Sequence, residues 1–168
     1  MYKLQLIYMP AEDIAMHPYP HHYRVQAQGS ATGSVPITGP SLPTLETNPP
    51  PEFDGPAGYW SPETLLVAAV ADCYILSFRA VARASKLEWQ SISVDVEGVL
   101  DRVEGVTRFV EFTVTPRLSI CSAEREHLAQ TVLEKSKRAC LVTNSLSGEC
   151  KLAPEISICD CVGAAAEA

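Results

Sequence analysis

Basic residues are scarce in this 168-residue chain, and long apolar runs are absent. Lys and Arg number 13 against 20 Asp and Glu, which gives a formal net charge of -7. A general nucleic-acid binder needs a basic face that displaces counterions, so the composition argues against that class. No uninterrupted apolar run reaches the ~18 residues that span a bilayer, and we therefore expect no membrane among the partners either.

A secretion signal is also missing from the sequence pattern. The start of the chain carries one lysine and then acidic residues, without the small-residue site at which signal peptides are cleaved. We therefore expect a cytoplasmic protein. In that reducing compartment cysteines are more often buried thiols, metal ligands or catalytic groups than a disulfide framework. The chain has six of them: Cys73, Cys121, Cys140, Cys150, Cys159 and Cys161.

The composition predicts one domain with two short extensions. Residues 1–20 have no clear period and contain three prolines, so we interpret them as an N-terminal appendage. Hydrophobic residues make up 46% of the chain, enough for a real core in a domain at 21–160. Residues 161–168 are predicted to form a flexible tail.

The first part of this domain is predicted to hold strands and a long loop. Alternating polar and apolar residues indicate strands at 23–28 and 34–38. The proline-rich segment 40–60 is predicted to be an extended loop, and loops of that length are usually functional. At its end, Tyr59 and Trp60 are candidates for the mouth of an apolar pocket or for plain core.

A central helix is predicted at 61–84. Ser61 can cap it, and Pro62 suits the first helical position. Residues 65–71 are apolar on every side, so the helix should be buried on most of its faces. One small sheet offers too little surface for that, and we predict a homodimer.

A β-hairpin, a second helix and a last strand complete the pattern. Alternation at 89–100 and 109–115 predicts the two hairpin strands, with a polar turn at 101–105. The second helix is predicted from 122 to about 140, and the last strand at 151–158. Because strands and helices do not alternate one by one, the expected fold class is α+β with antiparallel sheet.

Two cysteines lie at informative positions on the predicted helices. Cys73 lies in the middle of the central helix, on a stripe of small residues that would let another backbone approach closely. The alternative for Cys73 is an inert core thiol, because free cysteine is among the most buried residue types. Cys140 ends the second helix, and the spacing alone does not prove that it meets Cys73.

Two motifs carry a resemblance to a known family. The segment SPETLLVAAVADCY resembles the helix that carries the peroxidatic cysteine in the OsmC/Ohr family, and ACLVTNSL resembles the second cysteine motif of that family. Both motifs occur in the expected order, with a hairpin and a helix between them. The resemblance extends over roughly residues 23–158.

The resemblance implies an OsmC-like fold, in which two antiparallel sheets surround the long central helices of an intertwined homodimer. It implies that Cys73 attacks an organic hydroperoxide and becomes a sulfenic acid, and that Cys140 condenses with it to a disulfide. A dithiol, such as a lipoylated protein, would then reduce that bond. Such an antioxidant peroxidase of the oxidative stress response needs no cofactor.

Glu63 matches the active-site glutamate of the family. Ten residues along one helix span about 15 Å, so Glu63 cannot touch Cys73 of its own helix. We expect Glu63 to serve Cys73 of a partner subunit. The alternative is a first-turn carboxylate that only complements the helix dipole.

One stretch departs from the family pattern. The family places an arginine in its first hairpin, where it stabilises the thiolate, whereas residues 29–35 contain neither arginine nor lysine. Arg24, or Arg79 from the partner subunit, is the candidate substitute. The departure leaves two alternatives open, namely an OsmC-like protein that binds a small apolar ligand and a redox sensor that switches a partner surface.

The remaining cysteines give a weak metal signal. Structural zinc prefers Cys-x2-Cys spacings with four ligands, whereas Cys159 and Cys161 are separated by a single residue. We therefore expect no metal. We interpret these two cysteines, together with Cys121 and Cys150, as spectator thiols, with a relay disulfide as the alternative.

Overall fold

The structure is a computed structural model that describes residues 18–159. The predicted tail 161–168 and most of the predicted appendage 1–20 lie outside the described residues. Within the described range the α+β class is confirmed, with two sheets and three α-helices. The chain divides into two compact units, Met1–Thr47 and Asn48–Ala168.

The first unit holds a three-stranded antiparallel sheet. Its strands are β1 (Gln26–Ala27), β2 (Val35–Thr38) and β3 (Leu45–Thr47), with β2 in the centre. β1 is shorter than the predicted strand 23–28, because the beginning of that segment is not packed against a core. The ring of Tyr23, for example, is 91% exposed.

β3 lies inside the segment 40–60, which the prolines predict to be a loop. Thr47 is buried, and its hydroxyl Oγ1 donates to the carbonyl of Val35 at 3.0 Å, which reinforces the β2–β3 ladder. A 3-10 turn at Pro51–Phe53 follows in the second unit. The loop prediction is therefore wrong at these two short elements.

The second unit is built on α1 (Pro62–Ala84), which matches the predicted helix. At its start, the N–H of Thr64 donates to Ser61 Oγ at 3.2 Å, and the N–H of Ser61 donates to Thr64 Oγ1 at 2.8 Å. This reciprocal capping box satisfies amide groups that a helix start otherwise leaves without partners. It fixes the first turn, on which Glu63 lies.

One face of α1 is in the core, and the other is open and carries both apolar and charged side chains. Its length and composition would allow it to cross a membrane, with a mean hydropathy of 1.8 over an 18-residue window, only 22% of which is buried in the chain. Leu76 is 52% exposed. The helix was predicted to be buried on most sides, but within a single chain it is buried on one face only. Four side chains on that face are fully buried: Val70, Tyr74, Phe78 and Ala82.

The predicted hairpin is present as β4 (Ser91–Val103) and β5 (Val106–Ile120), paired antiparallel. Its connection is tighter than the predicted turn 101–105, with only Glu104 and Gly105 between the strands. Both residues have positive φ, 53° and 82°, as a two-residue type I′ turn requires.

Two helices connect the hairpin to the last strands. Ser122 makes no side-chain capping bond, and a 3-10 turn at Ala123–Arg125 precedes α2, so the second helix starts later than predicted. The predicted last strand is split in two. The elements in this part are α2 (Glu126–Ala139), α3 (Leu141–Asn144), β6 (Glu149–Leu152) and β7 (Glu155–Ile158).

The second sheet is mixed, whereas an antiparallel sheet was expected. Both β6 and β7 pair parallel with β5, because α2 and α3 carry the chain back to the start of that strand. The two short strands lie one after the other along β5. Pro154 interrupts them, and the N–H of Ala153 bonds to the carbonyl of Val114 at 2.9 Å between the two ladders.

The core of the second unit lies between the helices and one face of this sheet. Alternate residues of β5 point into it, as strand geometry requires. The rings of Phe78 and Trp89 meet edge to face with centroids 5.2 Å apart. The buried core side chains outside α1 are Leu87, Phe112, Val114, Leu118, Ile120, Ala129, Val132 and Leu133.

Candidate active site

The structure brings Cys73 and Cys140 together. Cys73 is half-buried in the middle of α1, and Cys140 is fully buried where α2 meets α3. Both are free thiols, and they lie close enough for Cys73 to influence the pKa of Cys140. Two cysteines that lie far apart in sequence thus share one site, in which the Cys73 thiol is partly accessible and the Cys140 thiol is not.

The environment of Cys140 favours its neutral form. Burial raises the pKa of the Cys140 thiol, and the neighbouring Cys73 thiol raises it further. Hydrogen bonds from the side chain and backbone of Thr143 lower the pKa, because they stabilise the thiolate. Burial prevails, so Cys140 stays protonated to higher pH than an exposed cysteine.

The backbone at Cys140 is extended, with φ -70° and ψ 109°, and this break separates α2 from α3. The Cys140 carbonyl accepts from Thr143 Oγ1 and from the N–H of Asn144, each at 3.1 Å. The side-chain amide of Asn144 donates back to the carbonyl of Arg138 at 3.0 Å. These bonds hold the buried thiol at the junction of the two helices.

Tyr74 anchors the turn of α1 that carries Cys73. It is fully buried, and its hydroxyl donates to the carbonyl of Leu133 on α2 at 3.0 Å. Burial raises the pKa of Tyr74 well above its usual range, and the nearby Cys140 and Cys150 thiols add to that rise. The phenol therefore remains a neutral donor that holds α1 against α2.

Cys150 is a third thiol near the same tyrosine, although the sequence indicated only a spectator. It lies on β6, in register with Phe112, and packs against the core. Burial raises the pKa of Cys150, and the charge of Lys137 lowers it. The alternation of residues 149–152 is the signal that could have placed Cys150 on the inner face.

A cavity of about 610 Å³ lies beside the first three turns of α1. Gly98 on β4 permits the close approach that forms one wall, since a Cβ at this position would lie 2.9 Å from Cγ2 of Val67 and 3.0 Å from the ring of Phe109. Trp60 lines the cavity, as the pocket interpretation of this residue predicted, and Tyr59 does not. Phe53, Val67 and Phe109 were missed, because they come from three separate elements.

Glu63 contributes an unsatisfied carboxylate to this cavity. Its oxygen Oε2 is buried and, within residues 18–159, has no hydrogen-bond partner. Glu63 and Cys73 lie ten positions apart on the continuous helix α1, about 15 Å at the usual rise. The structure therefore does not bring Glu63 to the thiols of its own chain.

The described residues offer no clustered metal ligands. Among residues 18–159, no group of three His, Cys, Asp or Glu side chains converges as a metal site would require. Among the predicted spectator thiols, Cys121 is disulfide-bonded and therefore not a free thiol, and Cys161 lies outside this range. The β1–β2 connection, where the resemblance leads us to expect an arginine, carries no cation in this chain.

Known proteins are similar to this chain in sequence or in structure. A Bacillus subtilis protein described as uncharacterised, YmaD, is 27% identical over 112 residues, which cover 65% of this chain and 75% of YmaD. An OsmC-like protein of unknown function from Vibrio cholerae has the same fold, with a TM-score of 0.72 at 13% identity, over 82% of this chain and 100% of that one.

Two solved structures of organic hydroperoxide resistance proteins are also similar. Those from Legionella pneumophila and Elizabethkingia anophelis have TM-scores of 0.64 and 0.69 at 24% and 18% identity, covering 84% and 85% of this chain and 100% of each of theirs. At these identities the similarity concerns the fold. The OsmC-like protein family matches residues 55–155, which is more than half of the sequence. The chain therefore belongs to the OsmC-like family.

Proposed function

We propose that this protein is a cysteine-based thiol peroxidase that reduces organic hydroperoxides. The observation that carries the proposal is the proximity of a half-buried thiol, Cys73, to a fully buried one, Cys140. A peroxidatic cysteine has to reach its substrate, whereas a resolving cysteine has to reach only the first thiol. The difference in exposure supports this division of roles.

In the proposed cycle, the Cys73 thiolate attacks the terminal oxygen of the hydroperoxide. The O–O bond breaks, Cys73 is oxidised to a sulfenic acid, and the alkoxide takes up a proton and leaves as an alcohol. The Cys140 thiolate then attacks the sulfenic sulfur, which forms the disulfide and releases water after protonation. A dithiol such as a lipoyl group reduces this disulfide by two exchange steps and becomes a cyclic disulfide itself.

We further propose that the working form is a homodimer. Leu76 exposes 52% of its surface on the open face of α1, and Leu141 exposes 70% on α3. A second copy would remove this surface from water, which is the main driving force of association. Only a partner subunit's Cys73 is available to Glu63, because the helix geometry separates the two residues within one chain.

The test is steady-state reduction of cumene hydroperoxide with dihydrolipoamide, beside the same reaction with a monothiol. We expect Cys73→Ser to abolish turnover, and Cys140→Ser to complete one turnover with the dithiol absent and to leave a sulfenic acid that dimedone traps. Cys150→Ser is the matched control, because it removes another partly buried thiol of the same region, and it should retain turnover. Equal rates for the wild type and Cys73→Ser would contradict the proposal.

A second candidate function is ligand binding without peroxide chemistry. It is favoured by the absence of a cation in residues 29–35 and by the sizeable cavity beside Glu63. In that case the Cys73–Cys140 pair would act as a redox sensor at most. Absent turnover in the same assay, with a disulfide that still forms on titration with oxidised lipoamide, would favour this candidate.

A further inference from the structure

Three cysteines have no part in the proposed peroxide chemistry. Cys121 directly follows β5, Cys159 directly follows β7, and Cys161 is two positions further along the sequence. We propose that they form a second thiol–disulfide site, in which the disulfide of Cys121 moves between Cys161 and Cys159. The inference concerns these cysteines alone, so it holds whether or not Cys73 reduces peroxides.

The disulfide of Cys121 has one partner left in the sequence. Cys121 is exposed, and exposed disulfides are more easily reduced and exchanged than buried ones. The chain has six cysteines, and by count Cys161 is the one that remains to hold Cys121. The other cysteines within residues 18–159 all carry thiols: Cys73, Cys140, Cys150 and Cys159.

The parallel pairing of β5 with β7 places Cys159 beside Cys121. The last register pair of the two strands is Ile120 and Ile158, so the two cysteines are the next pair along the ladder. The N–H of Cys159 continues that ladder, because it donates to the carbonyl of Ile120 at 2.9 Å. Neighbouring strands lie roughly 4.8 Å apart, which falls within the Cα separations that a disulfide bridges, roughly 4.4–6.8 Å.

The Cys159 thiol lies on the side of this neighbour. Its Sγ is 3.5 Å from the carbonyl oxygen of Ile120, and that oxygen is about 2.8 Å from the Cα of the next residue across a planar trans peptide. Sγ of Cys159 is therefore within about 6.5 Å of the Cα of Cys121. Sγ of Cys121 lies 3.9 Å from Oε1 of Gln90, and a rotation from there about its Cα–Cβ bond brings the two sulfurs together.

The exchange needs neither an oxidant nor a reductant. The Cys159 thiolate attacks Sγ of Cys121, the bond from Cys121 to Cys161 breaks, and Cys161 leaves as a thiolate that takes up the proton that Cys159 lost. The two disulfides close loops of nearly equal length, so loop entropy favours neither of them. A small monothiol would catalyse the same exchange through a mixed disulfide on the exposed Cys121, which Cys159 then resolves.

The test identifies the partner of Cys121 by peptide mapping of the intact protein. After incubation at about pH 8 with a catalytic amount of reduced glutathione under nitrogen, the thiols are blocked at acid pH, and the chain is digested with trypsin and a protease that cleaves before Asp. Cleavage before Asp160 separates Cys159 from Cys161, so mass spectrometry distinguishes the two linked pairs. We expect both pairs, in amounts within about tenfold of each other, because their loops are alike.

Cys161→Ser gives a second, independent measurement. After full reduction of this variant, oxidised lipoamide takes up two electrons from a pair of thiols, and we expect the disulfide of Cys121 to form with Cys159 instead. Cys150→Ser is the matched control, because it removes another partly buried thiol of the same sheet and should leave the pairs of Cys121 unchanged.

Three outcomes would overturn the proposal. The first is a Cys121 that forms no disulfide in the unmodified protein, and the second is recovery of the Cys121–Cys161 pair alone after exchange. The third is a Cys121 that remains a thiol in oxidised Cys161→Ser. Because the readout is the mass of linked peptides, none of them depends on peroxide turnover, and the first two stand even if the variant fails to fold.

Discussion

Two stretches of the same helix differ in how their polar groups are satisfied. At the centre of α1, Cys73 interacts with Cys140, and the next residue, Tyr74, bonds to Leu133. At the first turn, Glu63 presents a buried oxygen that has no partner in the described chain. The thiol region finds its partners within one chain, whereas the carboxylate oxygen finds none among the described residues. The two stretches of one helix thus differ in whether a single chain completes them.

The largest expected effect comes from a change that would stop a second copy from completing the site. Leu76→Glu replaces an exposed apolar side chain on the open face of α1 by a charge, and we expect it to weaken dimerisation by at least about 100-fold, because desolvating a charge at an interface is costly. Sedimentation velocity measures this. Ala123→Glu adds the same charge on an exposed turn and should have no effect. A wild-type monomer near 18.2 kDa would contradict the homodimer.

The next largest effect is expected at the centre of α1, where the polar groups have partners within the chain. Tyr74→Phe removes the hydroxyl that donates to the carbonyl of Leu133, which keeps only its bond within α2, and the lost hydrogen bond costs about 0.5–1.5 kcal/mol in the free energy of unfolding. Urea denaturation measures the loss. Tyr59→Phe is the matched control, because the Tyr59 side chain is 54% exposed and its hydroxyl should contribute little. Equal losses in both variants would show that the buried bond is not the cause.

The pH dependence of disulfide formation distinguishes the two thiols. Since burial raises the pKa of Cys140, its reactive thiolate is scarce at neutral pH, and the resolving step should accelerate as pH rises, by up to tenfold per unit. Thr143→Val removes a hydrogen bond that lowers this pKa, so it should slow the step severalfold at pH 7 and much less at high pH. Single-turnover quench experiments measure the rates. A rate that is flat between pH 6 and pH 9 would contradict this.

The smallest effect tests the missing arginine. Thr32→Arg restores a cation to the first hairpin, and we expect alkylation of Cys73 at neutral pH to become a few times faster, because a nearby cation favours the thiolate. Thr32 is preferable to Gly33, whose φ of 96° disfavours a side chain. Thr44→Arg adds the same charge elsewhere in the first unit as a control. An unchanged rate would mean that this hairpin does not serve Cys73 as it does in the family.

Elements with local signals could be predicted from the sequence. The capping serine and the proline at 61–62 define the start of α1, and strict alternation predicts β4 and β5. β3 could not be predicted, because the prolines on either side of it favour a loop and its pairing with β2 is not local. The parallel pairing of β6 and β7 is equally non-local, since it depends on how α2 and α3 return the chain.

The candidate site was predictable only in part. Sequence spacing left open whether Cys73 and Cys140 meet, and the family resemblance supplied that expectation. Helix geometry correctly predicted that Glu63 and Cys73 of one chain lie too far apart to touch. The lack of a partner for Glu63 could not be foreseen, because it depends on the cavity that Phe53, Gly98 and other distant residues form together. Whether a polar atom is buried and whether it has a hydrogen-bond partner both depend on the assembled fold.

The parallel pairing of β6 and β7 with β5 also sets an order of assembly. The β4–β5 hairpin closes through a two-residue turn and can form early, whereas β6 and β7 must wait until α2 and α3 have been synthesised and folded. During that interval one edge of a 15-residue strand has open hydrogen-bonding groups. The nascent chain is therefore most exposed to aggregation along β5, and docking of residues 149–158 ends that exposure.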